Sequence, residues 1–153
     1  MGRMSHAQAP QSFGRVDDDG TVYVRTSDGE RSVGQVPDST SEEALEFFVR
    51  RYRALETEVS LLESRVSSGT ASPEEARSAA SKLVTSIREA NAVGDLESLA
   101  ARVEALTPTI DAKAETRREE RAEAKARAKQ AKEEMVAQAE AIAAGSDLSL
   151  IHI

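Results

Sequence analysis

The chain has no cysteine and no tryptophan, and only 3% of its 153 residues are aromatic. Without cysteine it can hold no disulfide, no thiolate nucleophile and no sulfur-ligated zinc. Hydrophobic residues reach 39%, but alanine supplies much of that share. Alanine buries little area, so the thick core of a compact enzyme is out of reach over much of the chain. The two histidines, His6 and His152, lie near opposite ends of the sequence. No phosphate-loop, dinucleotide, nucleophile-elbow or zinc-protease pattern occurs. We therefore expect no catalytic residues, no cofactor and no metal. No apolar run is long enough to span a bilayer. The opening "MGRMSHAQAPQSFG" has no apolar secretory core. The expectation is a cytoplasmic protein without membrane contact.

Charge is abundant, with 31% charged residues and a net charge of −7. Residues 1–110 hold 12 basic and 18 acidic groups, whereas residues 111–134 hold 8 and 7. Neither stretch is a basic block, which weighs against generic nucleic-acid binding.

Residues 1–11 are polar and read as disordered. Over residues 12–37, Asp19-Gly20 and Asp28-Gly29 separate three short runs. Glycine accepts the positive φ of tight turns. "TVYVRT" alternates with the period of a half-buried strand. These signals predict a three-stranded antiparallel β-meander at Ser12–Val16, Thr21–Thr26 and Arg31–Val36, which needs a helix over its apolar face.

Residues 40–106 read as a helical hairpin or bundle. Thr40 and Glu43 form a capping box. Leu45, Phe48, Tyr52, Leu55, Val59, Leu62 and Val66 then recur at steps of 3 and 4, the heptad spacing of a coiled coil. Gly69 should end this helix. Ser72, Pro73 and Glu75 start a second, with Leu83 and Ile87 on its apolar face and Gly94 at its end. The short connection favours antiparallel packing. Asp95 caps a third helix carrying Leu96, Leu99, Val103 and Leu106. At Thr107-Pro108 a kink or near-collinear restart is expected, because Ile110 keeps the spacing. Residues 108–144 then read as a long, charged single helix. Fifteen of residues 111–134 are charged, and none is leucine, isoleucine or valine. Such a segment is helical by propensity and buries little. Docking should resume at Met135, Val136 and Ile142, and Gly145 should cap the end. The predicted fold class is thus mainly α with a small β-meander: an antiparallel helical hairpin or coiled coil plus a long charged helix.

The terminal "LSLIHI", residues 148–153, breaks this pattern. The bases CTGTCTCTTATACACATC, a transposase mosaic end used in sequencing-library adapters, translate to the same residues. We read them as an adapter scar. On that reading His152 is not functional, and the protein continues beyond Asp147.

The stretches "SFGRVDDDGTVYVRTSDGERSVGQVPDSTSEEALEFFVRRY", "LLESRV", "VGDLESLAARVEAL" and "AEAIAAGSD" carry a resemblance. Over residues 12–147 the chain resembles the N-terminal portion of actinobacterial proteins of domain-of-unknown-function (DUF) family 349. The region ending in "AEAIAAGSD" resembles the opening of a family repeat whose tryptophan-bearing helix this sequence lacks. The resemblance implies an intracellular coiled-coil protein truncated before its C-terminal repeats, and it implies no catalytic residue.

Two clusters invite chemistry. Asp17-Asp18-Asp19-Gly20 has acidic density, but contiguous aspartates before glycine suit a hairpin turn better than the alternating ligands of a calcium loop. "FFVRRYR" sets Arg50, Arg51 and Arg53 among aromatics, a pattern able to hold phosphate and stack bases. Phe48 and Tyr52 belong to the heptad face, however, so core packing with shielding arginines is the stronger reading. Arg117, Arg118 and Arg121 are surrounded by glutamates. The expected function is a non-enzymatic scaffold or interaction protein, binding a protein partner or itself. A nucleic-acid- or ribosome-associated factor working through the arginines is the alternative.

The charged segment yields a direct expectation. Glu123→Ala removes one exposed (i, i+4) partner and should shift stability by only about 0.2–0.5 kcal/mol in thermal melts.

Overall fold

The computed structural model describes residues 8–152, with side chains over residues 8–145. His6, the rest of residues 1–7 and the side chains of residues 148–153 lie outside the described residues, as do the readings that fell on them. Two compact units are present, Met1–Asp111 and Ala112–Ile153.

The first unit begins with a 3-10 turn, Pro10–Phe13. Disorder expected through residue 11 is therefore replaced by local structure: Pro10 presets φ, and the Ser12 amide and hydroxyl both donate to the Ala9 carbonyl. Three strands follow: β1 (Gly14–Val16), β2 (Thr21–Thr26) and β3 (Gly29–Gln35). They form an antiparallel sheet in the order β1-β2-β3. Gly20, at φ +85°, makes the first turn. A register shift beside Val22 and Tyr23 bends the β2–β3 ladder. Val22, Val24 and Val33 are buried.

Helix α1 (Ser41–Ser68) opens on the capping box, with the Glu43 amide donating to the Thr40 hydroxyl and the Thr40 amide to the Glu43 carboxylate. Gly69 adopts the left-handed conformation at its end, and the Thr70 amide reaches back to the Arg65 carbonyl. Helix α2 (Pro73–Glu89) opens on a second capping box, Ser72 with Glu75. It stops earlier than its sequence suggests. Ala90 turns to an extended conformation, and Ala92, Val93 and Gly94 run as a buried connection. The reason is contact with α1: the Val93 amide donates to the Phe48 carbonyl at 3.1 Å. A Cβ on Gly94 would lie 2.2 Å from the Tyr52 ring. Gly94 is thus a close-approach residue rather than a helix cap.

Helix α3 (Leu96–Glu104) is capped by Asp95, whose carboxylate accepts the Ser98 amide. It ends before Pro108, and α4 (Thr107–His152) starts afresh with the proline in its first turn, where no amide is missed. One cluster joins the sheet's valines to α1, α2 and α3 and closes on Ile110. No helix among the described residues is long and apolar enough to cross a membrane.

In the second unit α4 departs from expectation twice. Gly145 is inside the helix and does not end it. The run of alanine, glutamate, lysine and arginine propagates helix strongly enough to absorb one glycine, at a cost of about 1 kcal/mol. Met135, Val136 and Ile142 do not dock: they are 68%, 50% and 70% exposed. Arg118 pairs with Glu115 at 2.7 Å. The (i, i+4) pair that the sequence offers Glu123, with Arg127, is not among the ion pairs of the described residues.

Ile87 is fully buried where α2 meets the core. Ile87→Ala should destabilise the first unit by about 2–5 kcal/mol in denaturant unfolding, without loss of the far-ultraviolet helical signal at low denaturant.

Candidate functional site

The arginine–aromatic segment of α1 is fixed from its capped first turn. One turn on, Phe47 and Phe48 lie side by side, ring centroids 5.0 Å apart and edge to face. Phe48 is buried against β3, where a Cβ on Gly34 would come within 2.6 Å of its ring. Phe47 is 43% exposed. The Arg51 guanidinium lies 4.8 Å from the Phe47 centroid and 5.3 Å from that of Phe48, and it donates to the Asn91 carbonyl at 3.3 Å. Arg50 faces Glu46 at 3.9 Å and Arg53 faces Glu56 at 3.7 Å. All three arginines are engaged by groups of their own chain. An open groove beside them, about 580 Å³, is lined by Glu42, Glu43, Glu46, Phe47 and Arg50. Its carboxylates would repel a phosphate backbone.

The aspartate run forms a turn. The Gly20 amide donates to the Asp17 carbonyl, and the Thr21 amide donates to the Asp19 carboxylate. That bond holds the Asp19 carboxyl below its ordinary pKa. The Arg15 guanidinium, 4.4 Å from the centroid of the Tyr23 ring, bonds both the Asp17 and the Glu30 carboxylates. Glu30 is thereby held low, while Asp17 raises the Tyr23 hydroxyl. These bonds tie β1 to its neighbours across the sheet face.

Of the heptad residues, Phe48, Tyr52, Val59, Leu62, Val66, Leu83, Ile87, Leu96, Leu99 and Val103 are buried, and Leu45, Leu55 and Leu106 are half-buried. They serve the core of the first unit. Sequence spacing misses the polar links between its helices. Arg102 on α3 grips the Glu63 carboxylate of α1 at 2.6 Å, and Arg88 on α2 meets Glu104 on α3 at 3.0 Å. Such pairs join residues far apart in sequence and leave no periodic trace.

Among the described residues five large apolar side chains are exposed: Phe47 and Leu61 on α1, and Met135, Val136 and Ile142 on α4. From Glu115 to Gly145 every side chain is exposed. Met135, Val136 and Ile142 lie within about two turns of one another. The Val136 edge of this patch borders a shallow depression with Lys132, Glu133 and Glu140. Over the described residues this is the surface best suited to bind another molecule by burial.

Residues 98–150 match the profile of a family described as Domain of Unknown Function (DUF349). The match begins inside α3 and runs along α4, so it covers the exposed patch and leaves the β-meander and α1 outside. No curated protein matches the chain, and no solved structure matches it either.

The Arg102–Glu63 link can be read by titration. Its hydrogen bond lowers the Glu63 pKa. The stabilisation it gives is present above the ordinary glutamate pKa and is lost as pH falls through the lowered one. In carboxyl-resolved NMR, Glu63 should titrate below its ordinary value, and Arg102→Ala should return it there; an unmoved midpoint would show that the two groups do not pair in solution.

Proposed function

We propose, taking the match of residues 98–150 to DUF349 as the premise, that this chain is an interaction module with no catalytic role, and that α4 supplies its docking face. The supporting observation is the exposed group Met135, Val136 and Ile142, which falls within the matched region. Apolar side chains of this size in water favour association, because covering them releases their hydration cost. The module is an N-terminal portion of an intracellular, cytoplasmic protein of actinobacterial type, as the resemblance over residues 12–147 implies. Within it α1 and α2 act as a coiled-coil-like hairpin. Its apolar stripe is filled by the chain itself, and α4 carries three of the five exposed large apolar side chains among the described residues.

The nucleic-acid reading has less support, since Arg50, Arg51 and Arg53 already have partners and three glutamates stand beside them. The two readings separate by salt and by mutation. Partners that co-purify through α4 should persist as salt rises from about 50 to 200 mM, whereas binding through phosphate contacts of the three arginines should fall about 40-fold over that range. Met135→Glu with Ile142→Glu should release them. Partners that stay with this double variant, but leave when Arg50, Arg51 and Arg53 become glutamine, would transfer the function to nucleic acid.

A further inference from the structure

We draw no further inference here: the strongest candidate, the groove beside the exposed Phe47 at the start of α1, carries nothing, because Glu43 and Glu46 on its rim already serve α1 itself, in the capping box and against Arg50, and nothing in the structure shows what covers it.

Discussion

Burial of one face of α1 is the constraint on which the first unit depends. The helix brings Phe48 and Val49 beneath the sheet, Tyr52 against the Ala92–Gly94 connection, and Val59, Leu62 and Val66 into the helical end of the core. It packs against β1, α2 and α3. A three-stranded meander is marginal alone, and so are short helices such as α2 and α3. Each gains stability by closing on α1. The close contacts at Gly34 and Gly94 follow from this, because a β-strand and a loop must both approach aromatic rings of the same helix.

Much of this was legible in sequence because it is local or periodic. The capping residues Thr40, Ser72 and Asp95 announce helix starts through side chains that reach their own first turns. The spacing from Leu45 to Val66 announces a buried stripe. Elsewhere tertiary contact overrode a local signal. Gly94 has the look of a helix terminator, yet its role is set by Tyr52, forty-two positions earlier. The Arg102–Glu63 bond could not be foreseen for the same reason. Periodicity finds which side of a helix is buried, but not which charges meet once it is.

The candidate surface was legible in part and misread in part. Apolar character at Met135, Val136 and Ile142 is plain in the sequence, and it predicts that docking resumes there. Apolar composition, however, says that a face should be covered and not what covers it. Gly145 misled in the opposite sense, since strong helix formers before it outweigh one residue of low propensity. The arginines of α1 were legible as a cluster, while their engagement by Glu46, Glu56 and the Asn91 carbonyl appears only in three dimensions.

The contrast between a packed first unit and an α4 exposed from Glu115 to Gly145 bears on how the chain loses its structure. The first unit opens as one body, because its elements share α1. The most protected amide protons of its core should exchange at the free energy of that whole. Amides along α4 depend on helix propensity and exposed side-chain pairs, and they open turn by turn at far lower cost. Heating therefore melts α4 gradually across a broad span before the first unit unfolds sharply. A single midpoint fitted to the ellipticity of the chain mixes the two and belongs to neither.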